Sequence, residues 1–408
     1  MKAALLTLGC KLNYAETDTY ARELRLAGAE IVPWSAGADI FLINSCSVTA
    51  VADAKTRNLI RKVHRISPDA RIAVTGCSAA LRRRELESIG GVWRVFGPDE
   101  KASVVPELLG LRTAEHGGIF PAWSSGERTR SFLKVQDGCD NFCAYCTVPY
   151  ARGHSRNVPV ATLVAQAEQI ASLGVKEIVL TGVNTGDFGR STGESFLSLL
   201  QALEKVEGIE RYRISSIEPN LLTDDIIGWI ASGTKFQPHF HIPLQAGSDE
   251  LLRAMGRRYD TALYTEKLEK VRRAMERPGE AKVFFGIDVM AGLPGETDAL
   301  FEEGLAFIRS VRPAFIHVFP YSRRPGTPAA SMKGQVSEPV KAERVKRLEG
   351  LCSELHTEFV EAHRGQKAQV LFESKEKNGM MGGYTGNYIR VSRPYEAALV
   401  GFISEVTL

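Results

Sequence analysis

Short apolar runs alternate, along the first 112 residues, with longer stretches in which apolar positions recur at helical spacing. Such short runs predict buried strands, and the longer stretches predict amphipathic helices. The predicted strands span residues 3–8, 40–44, 71–75 and 92–96, and the predicted helices span residues 14–26, 52–66 and about 82–89. Because this alternation indicates a parallel sheet with right-handed crossovers, we expect an N-terminal parallel-sheet α/β domain over residues 1–112.

The same alternation resumes after a segment without periodicity. Residues 113–130 are rich in glycine and serine and contain a proline, which predicts a linker. Six further strands are expected over residues 132–135, 177–180, 211–215, 239–243, 283–289 and 315–319. Six strand–helix units favour a partial (β/α)6 barrel over residues 131–364, with its chemistry at the carboxyl ends of the strands.

The apolar pattern changes to a period of two over residues 365–408. Strands are predicted over residues 368–372, 380–384, 388–391 and 398–406, separated by turns rich in glycine and asparagine. Four short strands in so few residues predict a small C-terminal β-barrel.

Composition places the chain among ordinary globular proteins. Of its 408 residues, 44% are hydrophobic and 24% charged, and the net charge of +3 does not by itself indicate a nucleic-acid partner. No apolar run approaches the roughly 18 residues of a membrane span. Seven cysteines, an odd number, without a recognisable export signal argue against disulfides. We therefore expect a cytoplasmic protein without membrane association.

Three cysteines lie close together in the central segment. Cys139, Cys143 and Cys146 have the spacing C-x3-C-x2-C, with no fourth cysteine nearby. Thiolates at this spacing can hold one iron–sulfur cluster and leave one iron open to another ligand. Phe142 and Tyr145 lie between them and would shield the cluster from water. Zinc is the weaker alternative, because its usual second pair of ligands does not follow.

Three more cysteines follow three successive strands of the first domain. Cys10, Cys46 and Cys77 each lie just past the carboxyl end of a predicted strand. Ligands bind at that edge of an open parallel sheet, so the three thiols are expected to converge. The alternative is that each is a small buried apolar residue. The shared register favours a second cluster.

The motifs around these cysteines resemble a known family. The central motif resembles the signature of radical S-adenosylmethionine (SAM) enzymes. The segments Thr7-Leu8-Gly9-Cys10-Lys11-Leu12-Asn13, Asn44-Ser45-Cys46-Ser47-Val48 and Thr75-Gly76-Cys77 resemble the three cysteine motifs of the methylthiotransferases. That family joins a radical SAM domain to an N-terminal domain that holds an auxiliary 4Fe–4S cluster. The resemblance therefore implies two 4Fe–4S clusters and SAM as cofactors, with all six cysteines as metal ligands and catalytic residues.

The resemblance also implies a substrate and partners. Gly-Cys-Lys-Leu-Asn is similar to the branch that modifies N6-threonylcarbamoyladenosine (t6A) at position 37 of tRNA. The isopentenyladenosine branch usually carries Met before the Asn, and the branch acting on an aspartate of ribosomal protein S12 carries Pro-Lys-Asn. The implied reaction uses an adenosyl radical from SAM, sulfur from the auxiliary cluster and a methyl group from a second SAM. The implied partners are a tRNA anticodon stem-loop and an external one-electron donor such as flavodoxin or ferredoxin.

SAM contacts are implied at the strand ends of the barrel. The implied cofactor-binding residues are Tyr145, Thr181, Gly182, Asn184, Ser216, Glu218, His241, Gln245, Asp288, Gly292 and Pro294. Some of these positions have plainer interpretations. The turn at Gly292 can simply begin a helix, and His239 and His241 can be structural residues of the barrel.

The remaining signals leave alternatives open. The C-terminal segment resembles a TRAM RNA-binding domain, in which Tyr384 and Tyr388 either stack on bases or lie buried. Basic residues at Arg57, Arg61, Lys62, Arg65 and 82–84 are solvated surface or phosphate contacts. Cys352 lies on an amphipathic helix and is expected to serve packing. Functional alternatives are the other two substrates, a second cluster that only relays electrons, and a non-catalytic iron–sulfur RNA-binding sensor.

Overall fold

The computed structural model describes residues 1–111, 118–124 and 129–408. Its N-terminal part is a five-stranded parallel sheet in the order β2-β1-β3-β4-β5. The strands are β1 (Lys2–Thr7), β2 (Glu30–Ile31), β3 (Ile40–Ser45), β4 (Arg71–Gly76) and β5 (Val92–Val95). The helices are α1 (Lys11–Leu26), α2 (Ala50–Ile66), α3 (Cys77–Leu81), α4 (Arg83–Glu87) and α5 (Val104–Leu108). The predicted parallel α/β fold is confirmed.

Two details of this sheet differ from the sequence prediction. Strand β2 was missed because two residues are too few to show any alternation of apolar and polar positions. The helix predicted near residues 82–89 is present as α4, but the short helix α3 before it was missed; the two are separated at Arg82, whose φ of −132° lies outside the helical region. The first of the two helices begins at Cys77 itself.

Helices cover both faces of the sheet. Helix α1 contributes Tyr20 and Leu24 to the core on one face, and α2 contributes Ile60 and Val63 to the core on the other. Strand β3 is consequently buried along its whole length, as is usual for parallel strands between two helical layers. The carboxyl ends of β1, β3 and β4 remain as the edge from which the three cysteine loops leave.

The predicted linker lies partly outside the described residues, which lack 112–117 and 125–128. In the described part, Phe120 and Ala122 belong to the N-terminal core. The Lys134 amide donates a hydrogen bond to the Ala122 carbonyl at 2.9 Å, and Trp123 pairs with Leu133 as an isolated antiparallel bridge. Residues 118–124 therefore attach the first sheet to the start of the next one.

The central part is an open parallel barrel of six strands. These are β6 (Arg130–Lys134), β9 (Glu177–Thr181), β10 (Arg211–Ile214), β11 (His239–His241), β12 (Phe284–Ala291) and β13 (Phe315–Pro320). Two three-stranded sheets, β6-β9-β10 and β11-β12-β13, are joined by isolated parallel bridges such as Ser216 to His241. A short antiparallel pair, β7 (Gln136–Asp137) and β8 (Arg156–Asn157), flanks the cysteine loop. All six predicted strands are present.

Helices surround the barrel. They are α6 (Val148–Arg152), α7 (Val160–Ser172), α8 (Phe196–Glu204), α9 (Asp224–Ile230), α10 (Asp249–Ala254), α11 (Thr261–Met275), α12 (Asp298–Val311) and α13 (Glu338–Glu361). Cys352 lies on α13, is buried, and accepts a hydrogen bond from the Ile316 amide of β13 at 3.3 Å. None of the described helices is both long and apolar enough to cross a bilayer.

The C-terminal part is a four-stranded antiparallel sheet in the order β16-β15-β14-β17. Its strands are β14 (Lys367–Lys377), β15 (Met380–Thr385), β16 (Arg390–Pro394) and β17 (Ile403–Thr407). A register shift between Phe372 and Glu376 bends β14, because a bulge increases local twist. Arg213 of the barrel donates to the carbonyls of Thr385 and Gly386 at 2.8 and 2.7 Å, which attaches this sheet to the barrel.

Candidate active site between two cysteine triads

The loop that carries the first cysteine triad is shaped by one glycine. Gly138 has a φ of +74°, and a Cβ there would lie 2.0 Å from the His154 carbonyl oxygen, so only glycine fits this turn. The turn follows β7 directly and brings Cys139 and Cys143 into buried positions. Phe142, also at positive φ, remains half-exposed and contacts Tyr150 edge-on.

Each thiol of this triad accepts a hydrogen bond. Cys139 Sγ accepts from the Asn141 amide at 3.5 Å, Cys143 Sγ from Arg257 Nη1 at 3.2 Å and Cys146 Sγ from the Val148 amide at 3.4 Å. Burial, with a smaller contribution from the neighbouring thiols, raises the pKa of Cys139 to about 11 and that of Cys146 to about 12. The positive charge of the iron ions in a bound cluster would lower these pKa values and favour the thiolates.

The second triad converges as the sequence predicted. Cys10 is the N-cap residue of α1, Cys46 follows β3 and Cys77 begins α3. A Cβ on Gly9 would lie 3.0 Å from Cys46 Sγ, so the first loop lies directly against the second cysteine. Burial raises the pKa of Cys46 to about 11, and Cys77 and Cys10 are close enough to contribute to that rise. The three thiols therefore interact, although they come from three separate strand ends.

Both triads fit a cluster with three protein ligands. All six cysteines are free of disulfides. Within the described residues, one group of three potential ligands brings its donor atoms within 4.8 Å of one another, and it is His241, Asp288 and His317. The cysteine triads are thus more widely spaced than a single small ion requires. Soft thiolate donors at a wider spacing suit an iron–sulfur cluster.

A cavity of about 350 Å³ lies in front of the first triad. All three thiols of that triad line it, as do Val48 and Thr49, which follow Cys46 in the second triad's loop. Six of the residues implied as cofactor contacts also line it: Tyr145, Asn184, Ser216, Glu218, Gln245 and Asp288. The cavity therefore joins the barrel mouth to the edge of the N-terminal sheet.

Five implied cofactor contacts do not line this cavity: Thr181, Gly182, His241, Gly292 and Pro294. The Thr181 hydroxyl donates to the Val179 carbonyl, and Gly182 lies against Gln136. A Cβ on Gly292 would lie 2.0 Å from Lys341 of α13, so this glycine permits helix packing. These contacts favour a structural role for the turn at Gly292 over a contact with SAM. His241 Nε2 and Asp288 Oδ2 lie 2.9 Å apart and form a hydrogen bond.

Several residues of the cavity carry little sequence signal and were missed. Arg257, in the loop after α10, contacts Glu218 at 2.7 Å as well as Cys143. Asn141 Nδ2 lies 2.9 Å from both oxygens of Glu218. Asn141 and Arg257 therefore hold Glu218 in position at the cavity wall. The paired arginines Arg257 and Arg258, next to a predicted barrel helix, are the one local hint in the sequence.

A second missed arginine joins the barrel to the N-terminal loops. Arg324 follows β13, lines the cavity and donates to Ser47 Oγ at 2.9 Å and to Asp53. Asp53 Oδ1 also accepts from Ser47 and Ser78, which neighbour Cys46 and Cys77. Burial alone would raise the pKa of Asp53, but Arg324 and Ser47 hold it below its ordinary value. These contacts fix the second triad's loops against the cavity.

A buried charge cluster lies behind the two triads. Glu16 and Asp137 lie among Lys101, Lys134 and Arg152, with contacts of 2.7 to 3.3 Å. Burial alone would raise the pKa of Glu16, but the three cations hold it well below its usual range. Three cations against two carboxylates leave one positive charge in excess. Arg152 carries it toward the second triad, where its positive charge opposes the rise that burial causes in the pKa of the Cys77 thiol.

The basic residues of α2 and α4 are largely paired. Arg57 contacts Glu85 at 3.1 Å, Arg83 contacts Glu87 and Glu100, and the Lys62 ammonium lies 4.6 Å from the Trp34 ring centroid. Solvated and paired surface is therefore the better interpretation of these positions. A phosphate-binding role stays a prediction.

The two aromatic residues of the C-terminal sheet contact the barrel. Tyr384 and Tyr388 stack on each other with centroids 4.7 Å apart, and the Arg130 guanidinium lies over both rings. Tyr388 also contacts His239. Both rings are half-buried, so the packing interpretation holds in this structure rather than stacking on free bases.

Two regions of the chain match known families. Residues 133–308 match the Radical SAM superfamily, and residues 2–97 match the family described as Uncharacterized protein family UPF0004. The first region contains Cys139, Cys143 and Cys146, and the second contains Cys10, Cys46 and Cys77. Each triad thus lies within one matched family.

Curated proteins resemble the chain over nearly its full length. The threonylcarbamoyladenosine tRNA methylthiotransferase MtaB of Bacillus subtilis is 37% identical, over 99% of this chain and 93% of that protein. The Thermotoga maritima protein of the same name is 34% identical, over 94% of this chain and 89% of that protein. A tRNA-2-methylthio-N(6)-dimethylallyladenosine synthase of Carboxydothermus hydrogenoformans is 33% identical, over 91% and 88% respectively.

A solved structure shares the fold. The radical SAM methyltransferase TsrM of Kitasatospora setae, solved with cobalamin and a [4Fe-4S] cluster, superposes with a TM-score of 0.58 at 14% identity. The match covers 81% of this chain and 77% of that one. At this identity the similarity concerns the fold alone.

Proposed function

The chain belongs to the methylthiotransferase family of radical SAM enzymes, and from this premise we propose that it adds a methylthio group to C2 of t6A at position 37 of tRNA. The single observation that carries the proposal is the shared cavity, lined by the first triad and by the loop of the second. Such a cavity brings a cofactor and a substrate atom together between two metal sites.

Enzymes of this family use SAM and 4Fe–4S clusters. Cys139, Cys143 and Cys146 would hold one cluster, and Cys10, Cys46 and Cys77 the other. When bound, these groups supply one-electron chemistry, a sulfur atom and a methyl group, which no amino-acid side chain can supply. We propose that SAM occupies the cavity beside the first triad.

The protein's own residues orient and enclose these groups. Arg257 donates to Cys143 and to Glu218, so it couples the position of a cluster ligand to a carboxylate on the cavity wall. Asn184 Nδ2 is buried without a partner among the described residues and is available to a bound ligand. Arg324 and Asp53 keep the second triad facing the same space. These contacts fix the positions of the groups that line the cavity before the substrate arrives.

The substrate base must leave its stack to reach this cavity. A volume of about 350 Å³ is at the lower end of ligand pockets, so no more than a single unpaired nucleoside of a tRNA can enter it. An anticodon loop can splay a base outward, whereas a duplex would first have to break a pair. We propose an anticodon stem-loop as the docking partner for this reason.

In this proposal a separate protein supplies the electron that reduces the first cluster. Six cysteines form the two triads, and Cys352 is isolated on α13. With no further cysteine group in the described residues, a soluble one-electron donor such as flavodoxin or ferredoxin would reduce the first cluster.

Nucleoside mass spectrometry tests the substrate. The chain is expressed in a bacterial strain that makes t6A but lacks t6A methylthiolation, and its tRNA is digested and analysed. The expected product is 2-methylthio-t6A, and a Cys139→Ala variant serves as the control that abolishes it. Methylthiolated isopentenyladenosine, a methylthiolated S12 peptide or no modified product at all would each refute the proposed substrate.

A further inference from the structure

Lys11 differs from the other charged residues near the barrel interior in that its ammonium has no hydrogen-bond or ion-pair partner among the described residues. It is the first residue of α1, directly after Cys10, and its side chain is exposed to solvent. Its electrostatic neighbours nevertheless belong to other parts of the fold: Arg130 and Arg213 of the barrel, Asp288 of β12 and Tyr388 of the C-terminal sheet. The Lys11 ammonium is therefore close enough to interact electrostatically with groups of the barrel and of the C-terminal sheet, although Lys11 itself belongs to the N-terminal part.

The acidic groups near these neighbours of Lys11 already have partners. Arg213 binds Glu177 at 2.8 and 3.2 Å, and Arg130 binds Glu373 at 2.7 Å. Asp288 is hydrogen-bonded by His241 at 2.9 Å. Among the described residues, no hydrogen bond or ion pair of the Lys11 ammonium is found. A cation beside two guanidinium groups without a carboxylate of its own favours an anionic ligand.

The proposed substrate carries such an anion. The threonylcarbamoyl group of t6A ends in a carboxylate, and it is attached at N6, on the same edge of the base as C2. If C2 faces the second triad, the carboxylate lies close to the residue that follows Cys10. An uncharged isopentenyl group offers nothing for an ammonium to bind.

We propose that Lys11 binds the threonyl carboxylate of t6A and so selects this substrate over uncharged N6-substituted adenosines. The inference rests on the proposed function and names its specificity-determining residue. Asp288 lines the cavity, lies near Lys11 and is already hydrogen-bonded by His241. His239, His317, Arg130 and Arg213 add further positive or neutral groups near the ammonium.

The test compares two anticodon stem-loop RNAs with the reconstituted enzyme. One contains t6A, and the other contains the same nucleoside with the threonyl carboxylate converted to a primary amide. Binding is measured by fluorescence anisotropy and methylthiolation by single-turnover rates. The wild type should prefer the acid roughly ten- to a hundredfold, as expected for a hydrogen bond to a charged group.

Three variants complete the experiment. Lys11→Met should remove the preference by weakening the acid and leaving the amide unchanged, and Lys11→Arg should retain most of it. Lys346→Met, which removes an exposed ammonium on α13, should behave as the wild type. Iron content and 5′-deoxyadenosine formation show whether each variant is intact.

The outcomes separate the two proposals. A wild type that does not methylthiolate the t6A RNA refutes the proposed function. A wild type that modifies t6A with equal affinity for acid and amide refutes the inference alone, and so does an undiminished preference in Lys11→Met. If Lys11→Met loses its clusters, the acid–amide comparison in the wild type and in Lys11→Arg still decides.

Discussion

Arg152 Nη2 donates a 2.5 Å hydrogen bond to Asn13 Oδ1, and this contact joins the frames of the two cysteine triads. Arg152 ends α6, which follows Cys146, and Asn13 lies in the first turn of α1, which follows Cys10. Asn13 Nδ2 in turn donates to the carbonyls of Leu8 and Ser45, beside the loops of Cys10 and Cys46. A small displacement of α6 would therefore shift Asn13 and the loops of Cys10 and Cys46 that it holds.

Replacing Arg152 should change the properties of the second cluster. Arg152→Met removes the positive charge in excess near Cys77, so the reduced cluster loses stabilisation and its potential becomes more negative. An EPR-monitored redox titration in a Cys139→Ala background, which retains only the second triad, measures this. Lys134→Met is the matched control, because Lys134 belongs to the same charge cluster without a contact to Cys77. Equal potentials for Arg152→Met and its parent would contradict the assigned role.

Arg257 should act in the same way on the first cluster and also on SAM. Arg257→Met leaves Cys143 without its side-chain donor and Glu218 without its 2.7 Å partner. We expect a more negative potential and at least about tenfold weaker SAM binding, since a hydrogen bond to a charged group contributes about 1.5–3 kcal/mol. The change in the EPR spectrum on SAM addition, in a Cys46→Ala background, reports both. Arg253→Met, an exposed neighbour on α10, is the control and should change neither.

His239 should make the protein less stable in acid. Its ring is buried against Phe284 and Tyr388, with Nδ1 unpartnered, and burial together with Arg213 and Lys11 lowers its pKa far below the ordinary value. The unfolded chain thus binds a proton that the folded chain resists, and stability falls as the pH drops below about 6.5.

A variant without this ring nitrogen isolates the effect. His239→Phe should lose less stability than the wild type between about pH 7.5 and pH 5.5, as measured by denaturant midpoints. His154→Phe, at an exposed position, should keep the wild-type slope. Parallel curves for His239→Phe and the wild type would show that His239 does not titrate in this way.

Cys352 should be dispensable for metal binding. Its thiol accepts one hydrogen bond from the Ile316 amide and belongs to the barrel core on α13. Cys352→Ala should lower the free energy of unfolding by about 1–2 kcal/mol, through one lost hydrogen bond and a small cavity. Iron and sulfide content after reconstitution should equal those of the wild type. A loss of iron would mean that a seventh thiolate takes part in cluster binding.

Most of the strands and helices could be predicted from the sequence, because the pattern of apolar residues within each element is a local feature. Buried parallel strands appear as apolar runs, and the three cysteine loops follow such runs at regular intervals, so their meeting at one sheet edge was deducible. The break between α3 and α4 was not deducible, because Arg82 leaves the helical region within a stretch whose composition suits one helix.

The sequence could not reveal the arginines that complete the site. Arg152, Arg257 and Arg324 contact Asn13, Cys143 and Asp53, each more than a hundred residues away along the chain. Periodicity describes neighbours within one element and carries no information on such pairs. The implied contact at Gly292 lies away from the cavity for the same reason, since its packing against Lys341 is a tertiary event.

Iron analysis of a Cys46→Ala variant tests the central claim most directly, which is that the chain binds two separate clusters facing one cavity. After anaerobic reconstitution, the wild type should contain about eight iron atoms per chain and the variant about half as many. The variant should still cleave SAM to 5′-deoxyadenosine while its methylthiolation of tRNA disappears. Equal iron content in the two proteins would contradict the two-cluster account.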